Sequence, residues 1–527
     1  MKFKRTLALL LTLPLLVSCG KKDPLVIPTV DVENIHIDLP AKPKYNEGNI
    51  SVDGDGNHLI DLYEVSDFHG AVNYEKHSEG NYLGLPMMAD YFNIKRKSNP
   101  GGTVLLSSGD MFQGSAESNL TRGYMVNYSM NYMGFDSMAL GNHEFDWTDK
   151  WIEKNANLAY SNVKIPYLCA NLIDKRTNSI PNFVSKSTVI SRGDYKIGII
   201  GSIGDGLKTS ILASCVANYD FLEEKSIVEA EAARLRSEDN CDIVVWTTHN
   251  GLDDVVTVNG VDAIFGGHAH DDALKNVGSI PAVATSNYGK SIGHIQLKID
   301  ASKNVSLSKM EIDSNPTSLS GLKENQDIKK IMNGYSAEID KIKNIKLGKA
   351  EGEFKADKTL KNVCVEAMFT SALKANKDNN LGLPEDHIIA AFHNINGGIR
   401  SDIPEGEITY GTVYSPFPFD NEIVFYKVKG FDFKAMMGQF SSYAVCRTFK
   451  SADEIISNQD YYLILTDFIA LSKKYVKGIF PTISDKDLIR TGKVVRDEVA
   501  QFIYEKDKIN PDDFLIGKGR YEPIPMA

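Results

Sequence analysis

With 527 residues, 42% hydrophobic and 24% charged, the chain has a globular composition and is long enough for two domains with separate cores. Its net charge of −11 argues against a general binder of nucleic-acid polymers, whose phosphate backbones call for a basic surface. Small phosphorylated substrates are not excluded, because metal ions can meet their charge locally.

Lys2, Lys4 and Arg5 precede an apolar run, Thr6 to Val17, that is too short to span a bilayer stably. It ends in Leu16-Val17-Ser18-Cys19-Gly20, with Lys21-Lys22-Asp23-Pro24 beyond. This stretch resembles a bacterial lipoprotein signal. That resemblance implies lipidation of Cys19 and an extracytoplasmic protein held at a bacterial membrane by acyl chains, without a spanning helix. A plain signal peptide with an incidental cysteine is the alternative. No later segment is apolar for long enough to span. Residues 20–50, with Pro24, Pro28, Pro40 and Pro43 among polar residues, read as an extended tether. The remaining cysteines, Cys169, Cys215, Cys241, Cys364 and Cys446, form no CxxC pair and read as buried apolar thiols.

From about residue 58 to about 315, short β-rich runs alternate with amphipathic stretches, the pattern of an α/β layered domain. His58 to Val65, Thr103 to Ser107, Lys196 to Ile200, Asp242 to Thr247 and Val261 to Phe265 are predicted core strands. Leu85, Met88, Ala89, Phe92 and Ile94 predict a covering helix between the first two. Over residues 324–343, Ile328, Ile331, Met332, Tyr335, Ile339 and Ile342 recur at spacings of three and four. They predict an amphipathic helix that connects two domains. The second domain would run from about 350 to 525, with strands near His387 to Phe392 and Ile423 to Val428.

Five short pieces carry the chemistry. Asp67-Phe68-His69, Gly109-Asp110, Gly141-Asn142-His143-Glu144, His249 and Gly266-Gly267-His268-Ala269-His270 each follow an apolar run. Polar ligands clustered after apolar strands suit a sheet whose carboxyl-end loops form one site. In an extended chain Asp67 and His69 would share a face and grip one ion together. Glycines beside the ligands let the chain approach an ion closely. Imidazole, carboxylate and amide ligands suit zinc, manganese or iron. Two divalent ions about 3.5–4 Å apart would clamp a phosphate and generate a hydroxide nucleophile.

The order DFHG, SGD, GNHEFD, THNG and GGHAH resembles the calcineurin-like metallophosphatases and, more narrowly, the bacterial 5′-nucleotidase and UDP-sugar hydrolase family. The resemblance implies an α/β (α+β) fold. A four-layer αββα metallophosphatase sandwich would occupy residues 51–320, a connecting helix 321–345 and an α/β substrate-binding domain 346–527. By that pattern Asp67, His69 and His270 would bind one ion, Asp110 would bridge, and Asn142, His249 and His268 would hold the other. His143 would stabilise the leaving group or transition state, oriented by Asp146. Glu144 receives no role.

In the second half, Asn394-Ile395-Asn396-Gly397-Gly398-Ile399-Arg400 is a modified form of the family's NGGGIR loop, and Pro418-Phe419-Asp420-Asn421 resembles its PFGN piece. The implied substrate-binding residues are Asn394, Asn396, Gly398, Arg400, Phe419, Asn421 and Phe480. Arg400 would pair with an anion and Phe419 would stack on a base. Three departures stand out: Ile395 within the loop, Ala356 where an arginine is often found, and the replacement of the family's NGGDG segment by Leu471 to Gly478. The expected activity is two-metal hydrolysis of nucleotides to nucleoside and phosphate. Cyclic-nucleotide phosphodiesterase, UDP-sugar or dinucleotide pyrophosphatase, thiosulfate-processing and purely binding lipoproteins are the alternatives. The expected partners are a small phosphorylated substrate and the membrane reached through the lipid. No nucleic-acid polymer or specific protein partner is expected.

Overall fold

The alternating runs of the N-terminal half form two six-stranded sheets packed face to face. A computed structural model describes residues 22–440, 443–471, 485–517 and 521. In the first sheet the strands lie in the order Val305–Asp313, Ile292–Ile299, His58–Val65, Thr103–Ser107, Ser137–Ala139, Tyr167–Leu168. In the second the order is Ala273–Val277, Ile280–Ala284, Ala263–Gly266, Ile243–His249, Tyr195–Ile203, Ser187–Arg192.

Successive side chains of a strand face opposite ways, and His58–Val65 shows what each face requires. Ile60 and Leu62 join Val104, Leu106, Ile199, Val245 and Phe265 in the core between the sheets. Tyr63 and Val65 face the outer layer, where helices Gly84–Ser98, Tyr124–Met133 and Gln326–Lys343 pack through Met88, Phe92, Met130 and Ile331. Helix Glu224–Ser237 covers the second sheet with Val228, Ala232 and Leu235. The result is the expected αββα sandwich.

The parallel strands of each sheet run the same way in register, His58–Val65 beside Thr103–Ser107 and Ile243–His249 beside Ala263–Gly266. Their carboxyl ends therefore gather at one rim, where open α/β sheets place ligands.

Helix Gln326–Lys343 buries Ile328, Ile331, Tyr335 and Ile339 in the N-terminal core and Ile342 in the C-terminal one. Beyond it, a five-stranded sheet has the order Tyr443–Arg447, Ile388–Asn394, Asp460–Thr466, Glu422–Lys429, Leu488–Val494. Helices Lys361–Asp378 and Val495–Lys506 cover one face, and Gly430–Met436 the other.

The stretch read as a tether is not free of the folded body. Apart from a short 3-10 turn at Val32–Asn34, its described residues form no helix or strand, but apolar residues between its prolines hold it down. Leu25, Ile27 and Val30 pack on the C-terminal core, while Val30, Val32, Ile35, Ile37 and Leu39 pack on the N-terminal one. The Leu25 N–H donates to Gln501 at 2.7 Å, Lys22 pairs with Asp507 at 2.9 Å, and Tyr160 donates to the Pro40 carbonyl at 2.6 Å. No helix among the described residues is long and apolar enough to cross a membrane. Cys169, Cys241 and Cys364 are buried free thiols, Cys215 is half-buried and also free, and Cys446 is buried with its Sγ 3.4 Å from Glu366 Oε2.

Candidate metal centre and active site

All five sequence pieces reach the common rim. Asp67 follows strand His58–Val65 by two residues, Asp110 follows Thr103–Ser107 by three, and Asn142 follows Ser137–Ala139 by three. His249 ends its own strand, and His268 lies two residues after Ala263–Gly266.

Two groups of donor atoms converge there, Asp67 with His69 and His270, and Asp110 with His249 and His268. In the second group Asn142 Oδ1 lies 3.1 Å from His249 Nε2 and 3.0 Å from His268 Nδ1. His249 Nε2 is 3.1 Å from Asp110 Oδ2. In the first group His69 Nε2 and His270 Nε2 face each other at 3.1 Å, and His270 Nε2 is 3.3 Å from Asp67 Oδ1. These separations suit neighbouring ligands on an ion held at about 2.1 Å.

The chemistry of the donors fits a cation. Among the described residues, Asp67 Oδ1 and Asp110 Oδ2 are buried and accept no hydrogen bond, an arrangement that is costly without a positive charge. Backbone carbonyls fix two imidazoles: His69 Nδ1 donates to Gln113 O at 2.9 Å, and His249 Nδ1 to Ser108 O at 2.7 Å. With a cation bound, each ring would turn an unprotonated Nε2 into the site, as metal-binding histidines do. Without one, burial disfavours a charge on His249, but the Asp110 carboxylate outweighs it and holds the imidazole up at about 10. Burial holds His69 well below the usual imidazole range and pushes His268 down to about 4, which keeps both neutral.

Asp67 and His69 do not meet by alternation along an extended chain. Asp67, His69, Asp110, His268 and His270 have φ of 50°, 47°, 55°, 70° and 60°, so the chain folds back in left-handed turns at each. Non-glycine residues in that region are strained, and their concentration at one rim marks a site the surrounding fold must hold in place. Glycine supplies the close approaches: a Cβ on Gly141 would lie 2.2 Å from Asp110 Oδ1, and one on Gly267 would lie 2.3 Å from Ser66 Oγ.

Glu144, assigned no role from sequence, is buried and accepts three backbone N–H groups. Gly141 and Asp110 donate to Oε2 at 2.7 and 2.9 Å, and Met111 donates to Oε1 at 2.9 Å. It fastens the Asp110 turn to the Asn142 turn. Burial, then the nearby Asp110 carboxylate, pushes it up to about 7 against the pull of those N–H groups.

His143 Nδ1 lies 2.8 Å from Asp146 Oδ2 in the turn His143–Trp147. Burial works against a charge on His143, but the carboxylates of Asp146 and Asp110 outweigh it and hold the imidazole above its usual value.

His143 and Asp146 line a cavity of about 390 Å³ shared by both halves of the chain. Asn394, Gly398, Arg400, Phe419 and Asn421 line it from the C-terminal side, and Asp110, Asn142, His268 and His270 from the other. The Phe419 ring lies 5.8 Å from that of His143, with the Arg400 guanidinium 5.2 Å from its centre. Asn396 is not among the lining residues. It is exposed, and it takes part through its carbonyl, which accepts from Asn394 Nδ2 at 3.2 Å. Ala356 also lies outside the lining, its N–H donating to Asp402 at 2.7 Å. Phe480 lies outside the described residues, as do Cys19 and the segment after Leu471. Trp147, Leu212 and Phe468 line the cavity too, and no motif in the sequence pointed to them.

The profile of the calcineurin-like phosphoesterases matches residues 61–272, and that of the 5′-nucleotidase C-terminal domain matches residues 341–455. The chain belongs to the calcineurin-like phosphoesterases that carry a 5′-nucleotidase C-terminal domain. Among curated proteins it is 27% identical to the 5′-nucleotidase of Bos taurus over 66% of this chain and 64% of that protein. It is 25% identical to the apyrase of Tabanus yao over 76% of this chain and 77% of that one. The match thus spans just under two thirds of the bovine relative. The crystal structure of a 5′-nucleotidase precursor from Thermus thermophilus shares the two-domain fold, with a TM-score of 0.69 at 19% identity. That likeness covers 88% of this chain and 99% of that one.

Proposed function

We propose that this phosphoesterase hydrolyses nucleotides to nucleoside and phosphate. The observation that carries the reading is the single cavity in which two metal-ligand groups face Arg400, Phe419, Asn394 and Asn421 from the other domain. Asp67, His69 and His270 would hold one divalent ion, and Asn142, His249 and His268 the other, with Asp110 shared between them. Two ions bound there supply charge neutralisation for the phosphoryl group and an activated water nucleophile. His143 would donate a proton or hydrogen bond to the leaving oxygen as it gains charge, with its ring fixed through Nδ1 by Asp146. Arg400 would pair with an anionic group of the substrate, and Phe419 would take a base on its face.

The same reading places the protein outside the cytoplasm, attached through a lipid on Cys19. Mass spectrometry of the mature N-terminal peptide from cells tests this, and an unmodified or uncleaved residue 19 would overturn it. The enzymatic reading is tested by a hydrolysis screen over nucleoside monophosphates, cyclic nucleotides, nucleotide sugars and simple esters, with added manganese or zinc. Folded, metal-loaded protein that turns over none of them would leave a binding protein rather than an enzyme.

A further inference from the structure

A residue outside every motif of the site connects its two halves. Arg122 belongs to the N-terminal domain, at the turn between helices Ala116–Leu120 and Tyr124–Met133. Its Nη1 donates to Asp420 Oδ2 at 3.1 Å, across the domain boundary. The same guanidinium lies 5.4 Å from the ring centre of Trp147 and 6.0 Å from that of Trp151. Trp147 closes the turn that carries His143 and Asp146, and Asp420 follows Phe419 directly. One side chain therefore touches both the turn beside the reacting phosphate and the loop that carries the aromatic wall.

Two further features show that the contact is built. Arg122 has φ of 48°, a left-handed conformation that costs a non-glycine residue strain and is kept where the fold requires it. Asp420 is also held from behind by Arg496, which is buried and donates to Oδ1 at 2.6 Å. A carboxylate already fixed in place loses little freedom on meeting a second cation, which removes a main reason why half-exposed ion pairs contribute little. The loop is docked at a second point, where Asn119 Nδ2 donates to the Pro418 carbonyl at 2.9 Å.

We propose that Arg122 is a positioning residue that latches the Phe419 loop of the C-terminal domain to the His143 turn of the N-terminal domain. It holds the cavity closed around a substrate large enough to touch both. This rests on the nucleotide-hydrolase reading above. A substrate that reaches from the metal ligands to Phe419 needs the latch, and a small aryl phosphate that fills only the metal side does not.

The test uses the full chain loaded with manganese, as wild type, Arg122→Ala and Arg122→Lys, on adenosine 5′-monophosphate and p-nitrophenyl phosphate. Metal content and the thermal midpoint are measured for each. Arg122→Ala should lower kcat/KM for the nucleotide about three- to ten-fold and leave the aryl phosphate within about two-fold. Lysine keeps the charge but not the planar face toward Trp147, so it should restore part of the loss. Small-angle scattering reads the latch without catalysis: Arg122→Ala should show a wider and salt-independent domain spacing, and wild type should widen only as salt rises. If wild type hydrolyses neither compound, the scattering alone decides the latch, and the wider substrate screen decides the hydrolase reading. Unchanged spacing in Arg122→Ala overturns it. So does an equal loss on both compounds accompanied by lost metal, which would mark Arg122 as a residue of the fold only.

Discussion

Nδ1 of His143 lies 2.8 Å from Oδ2 of Asp146, three residues further along the same turn. A carboxylate in that position leaves Nε2 to present a proton to the cavity and offsets the positive charge that forms on the ring. Neither residue belongs to the two groups of metal donors. His143→Ala should therefore lower kcat by about 10²- to 10⁴-fold while both ions remain bound, read by metal analysis alongside steady-state kinetics. Loss of metal in step with activity would return His143 to the ligand set.

Glu144 makes a prediction of the opposite kind. Glu144→Ala strands the buried N–H groups of Asp110, Met111 and Gly141, and should cost about 2–4 kcal/mol of stability. It should also release metal, since the Asp110 and Asn142 turns are no longer fastened together. Urea unfolding and metal stoichiometry check both, and a variant with wild-type midpoint and two ions would show that the N–H groups find other partners.

Asn394 lines the cavity, yet its Oδ1 is buried and accepts no hydrogen bond among the described residues. An idle buried acceptor facing a cavity suits a donor on the substrate. Asn394→Ala should raise KM for a nucleotide about ten-fold, with kcat changed less, as expected of a residue that binds substrate from the C-terminal side of the cavity and belongs to neither group of metal donors. An unchanged KM would leave the oxygen without a substrate partner.

His393, one residue earlier, carries a pH dependence. Its ring is buried, with Nδ1 2.8 Å from the Asn394 carbonyl, and burial pushes it down to about 4. Unfolded chain binds the proton near pH 6.5, so folding is favoured by neutral histidine and loses ground as pH falls from about 6.5 to about 4. The loss is at most about 1.4 kcal/mol per pH unit in that window. His393→Gln should flatten this part of the profile in urea melts at pH 5 and pH 7. Parallel profiles for the two proteins would refute it.

The framework of the molecule was legible because its signals are local. Strands His58–Val65 and Thr103–Ser107 have the limits their apolar runs predict, and the ligand types stand immediately after such runs. The backbone that brings them together was not legible. Alternation along an extended chain suggested why Asp67 and His69 meet, whereas left-handed turns accomplish it, and tertiary packing alone makes such turns tolerable. Contacts between residues far apart in sequence were equally hidden. Arg122 and Asp420 are separated by 298 positions, and neither has a periodicity or motif that announces the other. The role of Glu144 is hidden in the same way, because its partners are backbone groups that carry no sequence signal.

The strap formed by residues 22–45 gives the molecule a load path. Force applied at the N-terminus reaches the helix Val495–Lys506 first, through Lys22 and Leu25, before it reaches the N-terminal core at Val32 and Pro40. A protein moored by that end would have its C-terminal domain on the shorter leash. The strap would also be a second link between the domains besides helix Gln326–Lys343, one made of non-covalent stitches that peel singly. Recombinant forms trimmed to the first strand would lack that leash, and their domain movement would be freer than in the full chain.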